Sequence, residues 1–205
     1  MMGSMNKRLD FAKSRAKELT QGIGKNCSIG NQVTIMAGTE IHDNVVIRGR
    51  VVIGKRCLIK SGAVIGEKGF SFERDGDKLI RVEHTGGVSI GSDVEIGSHT
   101  TVVQGTVYDT ILEPQVKLDD HVHIAHNCFI GERTQISAGV ILAGSTKVGR
   151  DCWLGLNATI RGGFGQKTVI GDNAFIGVGA VVLHDVLPGD VMAGNPARVL
   201  RGSDV

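Results

Sequence analysis

The chain has 205 residues, and its 23 Lys and Arg residues nearly balance 21 Asp and Glu residues, which gives a net charge of +2. That balance, without a basic run or an aromatic platform, argues against a nucleic-acid partner. No segment has the roughly 18 apolar residues of a membrane span, and nothing resembles a signal peptide, so we expect a cytoplasmic protein without integral membrane contact. Aromatic residues make up only 4% while glycine reaches 30 residues, so the core must pack small aliphatic side chains in a repeated geometry.

The first segment, residues 1–22, is predicted to be an expression-tag remnant followed by a short helix. The residues "MMGSM" at 1–5 look like the remnant with a native start at Met5. In the stretch "MNKRLDFAKSRAKELTQ", Leu9, Ala12, Ala16 and Leu19 recur at helical spacing. We expect this helix to cap the open end of the unit that follows, where strand edges would otherwise be unpaired.

From residue 23 the chain follows a strict period of six. Isoleucine occupies positions 23, 29, 35, 41, 47, 53, 59 and 65, and aliphatic series with the same period resume at residues 90, 112 and 170. An α-helix repeats at 3.6 residues and a simple strand at two, whereas a period of six with glycine after the aliphatic residue indicates a hexapeptide β-helix. The sequence therefore predicts an all-β, parallel β-helix over residues 23–187, with three hexads in each coil.

A second inward position lies four residues after each aliphatic residue, where the prism corner has room for a small side chain. All four cysteines fall there, at Cys27, Cys57, Cys128 and Cys152. Their spacing fits neither a zinc site nor a disulfide ladder, so they are predicted to be reduced packing residues, in agreement with a cytoplasmic setting.

Three insertions and one tail interrupt the period. Residues 71–87 contain the turn signal "RDGD" between two strand-like runs, which predicts a hairpin that projects toward a ligand or a neighbouring subunit. Shorter insertions fall at 108–111 and 166–169. The period is lost near Pro188, so residues 188–205 are predicted to form a C-terminal tail.

The stretch "HVHIAHNC" at 121–128 concentrates three of the seven histidines. One coil of 18 residues separates His126 from Gly144, and the equivalent position below His126 is Gln104 once the insertion at 108–111 is allowed for. His126 should therefore lie on an outer edge, with space for a ligand at Gly144 and with the Gly144 N–H available to a developing oxyanion. Asp119, seven residues before His126, is predicted to orient its imidazole.

Two long stretches resemble the β-helix domain of the UDP-3-O-acylglucosamine N-acyltransferases of lipid A biosynthesis. They are "GFSFERDGDKLIRVEHTGGVSIGSDVEIGSHTTV" and "KLDDHVHIAHNCFIGERTQISAGVILAGSTKVGRDCWLG", within residues 65–160. The resemblance implies a left-handed β-helix in which His126 is the general base, Asp119 its acidic partner and Gly144 the oxyanion donor. We predict that Phe72 of the hairpin, His123 and Gln104 bind the substrate. Where the family has a second functional histidine, this chain has Gly163.

The C-terminal stretch "LHDVLPGDVMAGNPARVLR" resembles acetyl-CoA-dependent hexapeptide acetyltransferases, including those that act on nucleotide-linked amino sugars. This resemblance implies a homotrimer with acyl-CoA, most simply acetyl-CoA, in the groove between subunits. Gly162, Gly144, Arg198 and Arg201 are the predicted contacts for that co-substrate, and no permanently bound cofactor or metal is expected. The sequence thus predicts transfer of an acyl group to a nucleotide-linked amino sugar in surface-glycan or lipopolysaccharide synthesis.

Three alternatives stay open at this stage. The first is a lipid A-type N-acyltransferase that uses an acyl-carrier protein. The second is a γ-type carbonic anhydrase, because His121 and His126 reproduce its H-x4-H spacing, although a third ligand such as His99 would be required. The third is a non-catalytic β-helix used for assembly.

Overall fold

The computed structural model describes residues 22–162 and 167–201, with the side chain of Arg201 outside the description. The predicted N-terminal helix over 5–21 therefore lies outside these residues, as does part of the third insertion. The described residues are all-β and contain no helix, so none of them forms a helix that could span a membrane.

Short strands, most of them two or three residues long, form three sheets on the three faces of a prism. The ten-stranded sheet contains Gly22–Ile23, Glu40–Ile41, Leu58–Ile59, Glu95–Ile96, Lys117–Leu118, Gln135–Ile136, Trp153–Leu154, Phe175–Ile176, Val191–Ala193 and Arg198–Arg201. The eight-stranded sheet contains Ser28–Ile29, Val46–Ile47, Val64–Ile65, Thr101–Val102, His123–Ile124, Ile141–Leu142, Thr159–Ile160 and Val181–Val182. The seven-stranded sheet contains Val33–Ile35, Val51–Ile53, Val88–Ile90, Thr110–Leu112, Phe129–Ile130, Lys147–Val148 and Val169–Ile170.

Each coil stacks on the next in the register that the period of six predicts. Ile124 pairs with Val102 below it and with Leu142 above it, and the pairing is parallel. These side chains are at most 1% exposed, so the prism interior is a continuous aliphatic ladder. Each interior coil buries its inward face against two neighbours, which explains why a fold with so few aromatic residues can have a buried core.

The small residues of the second inward position fill the corners of the prism. Cys57, Cys128 and Cys152 are buried, Cys27 is half-buried, and all four thiols are free, as predicted. Thr134 occupies the same position, and its hydroxyl donates to the Gly149 carbonyl at 2.7 Å, so the one polar atom there is satisfied.

The first insertion forms the predicted hairpin. Strands Phe72–Asp75 and Lys78–Arg81 pair antiparallel around a turn at Gly76, where φ is +57°. The returning chain is fixed to the prism by Asp109, which accepts two hydrogen bonds from the Arg50 guanidinium and one from the Gly87 amide.

The β-helix extends beyond the predicted C-terminal boundary at residue 187. Val186 bridges to Ile170, and Val191–Ala193 continues the ten-stranded sheet in parallel to Phe175–Ile176. Arg198–Arg201 then turns back antiparallel to Val191–Ala193 and forms the last strand of that sheet. Residues 188–201 are therefore part of the β-helix, because a strand can continue a sheet even where the period of six is lost.

Candidate active site

The insertions that interrupt the repeat lie at one edge of the prism. At this edge, which we call the His126 edge, the chain passes from the eight-stranded to the seven-stranded sheet. The hairpin leaves the prism here between Val64–Ile65 and Val88–Ile90, and the second insertion follows Thr101–Val102. Insertions at one edge of three leave the other two edges regular, which marks this edge as a candidate site.

His126 lies on this edge, half-buried, with Gly144 directly above it. A Cβ atom added to Gly144 would lie 2.4 Å from Cε1 and 2.6 Å from Nε2 of His126. Any side chain at residue 144 would therefore occupy the space of the imidazole. Within the described residues the Gly144 N–H makes no hydrogen bond, whereas the next amide, that of Ser145, donates to the His126 carbonyl at 2.9 Å. The edge thus places a basic ring beside an unused N–H donor.

A second glycine keeps the edge open above this pair. A Cβ atom on Gly162 would lie 2.4 Å from the carbonyl oxygen of Gly144, so the backbone at residue 162 approaches more closely than any side chain allows. Gly144 and Gly162 thus leave a strip of backbone without side chains above His126, which we call the groove. Gly163 lies outside the described residues.

Gln104 lies one coil below His126, as the register predicts, but it is buried. It is 6% exposed, and its side-chain amide donates to the main-chain carbonyl of His84 at 2.8 Å. A substrate-binding role for Gln104 is therefore not supported, because its side chain supports the returning end of the hairpin.

The residue that the sequence reasoning missed is His84. Its ring is 5% exposed and lies 5.8 Å from the His126 ring, centroid to centroid, in an edge-to-face arrangement. The insertion breaks the period, so no counting rule placed His84 at this edge. The sequence did contain one indication of this position. His84 follows the second strand of the hairpin, and the hairpin begins and ends at the His126 edge.

The environment favours a neutral imidazole at His126. Burial lowers the pKa of His126, and the neighbouring His84 acts in the same direction. A histidine that stays unprotonated near neutral pH can accept a proton, which is what a general base requires.

Asp119 does not orient His126 within one chain. Asp119 follows the ten-stranded sheet, so it lies on a different edge of the prism, and its carboxylate accepts a hydrogen bond from the Asp120 amide at 2.8 Å. The His126 Nδ1 atom is buried and has no hydrogen-bond partner among the described residues. Within one chain, a separation of seven residues leads to the next edge of the prism and not to a stacked neighbour, so the role of Asp119 stays a prediction that would require a neighbouring subunit.

The two other predicted substrate contacts flank the edge. His123 is half-buried on the outer face of the eight-stranded sheet, where its Nδ1 atom lies 2.6 Å from the Thr101 hydroxyl, and burial lowers its pKa. Phe72 lies in the hairpin, in edge-to-face contact with Phe70 and with the Arg81 guanidinium 4.6 Å above its ring. Phe70 is 89% exposed, so the base of the hairpin presents an apolar surface beside the edge.

The predicted arginines lie farther along the prism. Arg198 is in the last strand of the ten-stranded sheet, and its Nη1 atom donates to the Ala197 carbonyl at 3.0 Å. The strand Val191–Ala193 lies four strands beyond Lys117–Leu118 in that sheet, which is roughly 19 Å at the usual strand spacing. The side chain of Arg201 lies outside the described residues.

The histidine spacing that suggested a metal site does not converge. His121 is on the edge after the ten-stranded sheet, where its ring stacks on that of His99 with centroids 5.4 Å apart, while His126 is on the next edge. Residues 22–162 and 167–201 contain no group of three or more His, Cys, Asp or Glu side chains that could hold a metal ion. The geometry therefore gives the carbonic anhydrase alternative no support.

Comparison with protein families identifies the repeat. The model of the bacterial transferase hexapeptide (six repeats) matches residues 22–52 and 33–67, and that of the hexapeptide repeat of succinyl-transferase matches residues 167–184. These matches show that residues 22–67 and 167–184 carry hexapeptide repeats of the kind found in bacterial transferases.

The curated proteins that this chain resembles are named acyltransferases. The UDP-3-O-acylglucosamine N-acyltransferase of Herminiimonas arsenicoxydans is 38% identical over 80% of this chain and 44% of its own length. That of Hahella chejuensis is 44% identical over 57% of this chain and 34% of its own length. The chain thus spans less than half the length of the curated relatives that it matches.

A solved structure supports the same relationship. LpxA from Acinetobacter baumannii superposes with a TM-score of 0.77 at 31% identity, over 87% of this chain and 66% of the other. This similarity supports the left-handed β-helix that the sequence resemblance implied.

Proposed function

We propose that this protein is an N-acyltransferase that moves an acyl group from a thioester, acyl-CoA, to the amino group of a nucleotide-linked amino sugar. The observation that carries the proposal is the stacking of His126 against Gly144 at the edge where the insertions emerge. A proton acceptor and an unused N–H donor within one coil of each other are what aminolysis of a thioester needs.

In the proposed reaction, the sugar nitrogen attacks the thioester carbonyl carbon while His126 Nε2 accepts a proton from that nitrogen. The C–N bond forms and the carbonyl becomes a tetrahedral oxyanion, to which the Gly144 N–H donates. The C–S bond then breaks, the thiolate leaves, and the proton on His126 passes to the sulfur. The products are an amide and a free thiol, and His126 returns to its neutral form.

The acceptor class is supported by the relatives, whose printed names specify N-acylation of a UDP-linked, 3-O-acylated glucosamine. The donor class is supported by the groove at Gly144 and Gly162, because neither of these two residues has a side chain that would obstruct an extended thioester arm. Arg198, toward the C-terminal end, is suited to the phosphates of CoA. The free thiols of the chain suit the cytoplasm, where we place the reaction.

One observation favours the alternative of a lipid A-type N-acyltransferase that uses an acyl-carrier protein. The same relatives act on an acceptor of that pathway, so the donor here could be an acyl-carrier protein with a longer acyl chain. The exposed Phe70 beside the edge would suit such a chain, because an aliphatic tail would cover part of its apolar surface.

We also propose that the active form is a homotrimer. The His126 edge of a single chain is open to solvent on its outer side, and a neighbouring prism would convert the edge into a cleft that excludes water. Ile141, on the outer face of the eight-stranded sheet next to this edge, is 45% exposed and suits such a contact. Sedimentation at micromolar concentration should give three times the mass of one chain, and a stable monomer would contradict this.

The deciding experiment offers the purified protein a panel of UDP- and dTDP-linked amino sugars with acetyl-CoA, with longer acyl-CoAs and with 3-hydroxyacyl-carrier protein. Thiol release is followed by absorbance, and the sugar product is followed by mass spectrometry. Turnover of an amino sugar with an acyl-CoA supports the proposal, whereas turnover only with the carrier protein supports the lipid A-type alternative. His42→Ala, on a coil near the N-terminal end, is the matched control for His126→Ala. The proposal fails if no amino sugar is acylated by any donor, or if His126→Ala is as active as the control.

A further inference from the structure

Two buried nitrogen atoms at the His126 edge have no hydrogen-bond partner among the described residues. They are Nε2 of His84 and Nδ1 of His126. A buried polar atom without a partner destabilises the folded state, so a pair of them in adjacent rings calls for an explanation. The proposed mechanism uses the other nitrogen of His126 and does not use His84.

The tautomer of His84 is fixed by the hairpin itself. Its Nδ1 atom lies 3.1 Å from the Val82 carbonyl, and a carbonyl oxygen can only accept, so Nδ1 carries the proton. In the neutral ring, Nε2 is then an acceptor with a free lone pair. The Gln104 amide holds the His84 carbonyl and so fixes the backbone from which this ring projects.

Gly69 lies beside both the free acceptor of His84 and the His126 ring. A Cβ atom on Gly69 would lie 3.0 Å from His84 Nε2 and 3.6 Å from His126 Cδ2, so both atoms border the same small space. A half-turn of the His126 ring about its Cβ–Cγ bond exchanges Cδ2 with Nδ1 without changing the volume of the ring. After that turn, Nδ1 of His126 lies on the side of His84 Nε2, while the other ring nitrogen still faces Gly144.

We propose that His84 is the positioning residue of His126, in the place where sequence reasoning expected Asp119. The Nδ1–H of His126 donates to Nε2 of His84, whose own Nδ1–H donates to the Val82 carbonyl. This chain of two hydrogen bonds satisfies both buried nitrogens and leaves the lone pair of His126 Nε2 directed at the groove. The proposal rests on the proposed role of His126 as the general base.

This arrangement predicts an unusual tautomer. A free imidazole in water favours the proton on Nε2, whereas the hydrogen bond to His84 requires it on Nδ1 of His126. The 15N chemical shifts of labelled histidine report the tautomer directly and do not depend on any substrate. The readout therefore stands even if the acyl acceptor has been chosen wrongly.

The test uses the full chain with three substitutions. His84→Phe keeps the ring shape and removes both nitrogens. His84→Gln restores an acceptor toward His126 and a donor toward Val82. Gly69→Ala leaves both histidines in place but puts a methyl group into the space between them. His42→Phe is the control for loss of a histidine elsewhere, and thermal unfolding checks that each variant is folded.

We expect the wild-type protein and His84→Gln to hold His126 as the Nδ1–H tautomer, and His84→Phe and Gly69→Ala to lose that preference. In the acyl-transfer assay His84→Phe should lower kcat at least about tenfold with little change in KM, because the tautomer affects the base and not substrate binding. His84→Gln should recover most of the rate. The proposal is overturned if His126 is the Nε2–H tautomer in the wild-type protein, or if a folded His84→Phe variant keeps the wild-type tautomer. A wild-type protein that shows the Nδ1–H tautomer but no acyl transfer would contradict the proposed function and leave the pairing of His84 and His126 standing.

Discussion

Gly144 and His126 occupy one space in two successive coils, because a Cβ atom on residue 144 would lie 2.4 Å from the imidazole of residue 126. Gly144→Ala should therefore displace the ring from the groove without disturbing the aliphatic ladder, and φ at this glycine is not in the left-handed region. We expect kcat to fall by about 10²-fold or more with the unfolding temperature nearly unchanged. Steady-state kinetics and thermal unfolding on the same preparation check this. A Gly144→Ala enzyme with wild-type kcat would show that the glycine is there only for turn geometry.

His126→Ala should remove about 10²–10⁴ in kcat, equivalent to about 2.7–5.5 kcal/mol of transition-state stabilisation. Asp119→Asn should have a much smaller effect, because Asp119 lies on another edge and its carboxylate binds the Asp120 amide. Comparing kcat for the two variants distinguishes the effect of losing the proton acceptor, His126, from that of altering its predicted partner, Asp119. A loss for Asp119→Asn that equals the loss for His126→Ala would instead place the carboxylate in the site, through a neighbouring subunit.

The rate should depend on pH through a base with a pKa below the ordinary histidine value of 6.5, because burial disfavours the protonated His126 ring. The active form is neutral, so kcat should be level near neutrality and should fall as the pH drops through the lowered pKa. The free energy of unfolding should also fall as the pH drops. Below 6.5 the unfolded chain binds protons that folded His126 and His123 resist, so acid lowers the free energy of unfolding. A kcat profile between about pH 5 and pH 8 tests the first point. A midpoint above 6.5 would contradict it.

The prism core should be far more sensitive to truncation than its outer faces. Ile53 is fully buried and Val52, the preceding residue of the same strand, is 37% exposed. Ile53→Ala should cost about 2–5 kcal/mol in the free energy of unfolding, whereas Val52→Ala should cost roughly 0.5 kcal/mol or less. Denaturant unfolding of the two variants provides the measurement. Equal losses would mean that the outer face is also covered in solution.

The four thiols should react in two classes. Burial raises the pKa of the Cys128 thiol to about 12, and it raises the pKa values of Cys57 and Cys152 in the same way. Only Cys27 is half-buried, so a thiol reagent at neutral pH should modify one cysteine rapidly in the native protein and four in denaturant. Rapid native reaction at Cys128 would show that the coil carrying His126 opens readily.

The regular part of the fold was predictable because the period of six constrains each side chain twice, once along the chain and once across the coils. That double constraint placed the ladder, the cysteine positions and the stacking of Gly144 on His126 correctly. It gave no help within the 71–87 insertion, where His84 is positioned by the Val82 carbonyl and the Gln104 amide and not by the repeat. Within one chain Asp119 does not reach His126 for a related reason. In a β-helix, neighbours in space are separated by whole coils, and a short separation in sequence leads to another face.

The order of the coils also determines where local unfolding should begin relative to the His126 edge. Each coil touches only the one before and the one after, so opening should start at the two ends and progress inward, as in any linear array. The strand His123–Ile124 is fifth of eight in its sheet, with complete coils on both sides. Ile23, in the first described strand, is 60% exposed. Local unfolding that began there or at the last strand would have to pass through several coils before it reached His126. The His126 edge is thus separated by complete coils from both ends of the described β-helix.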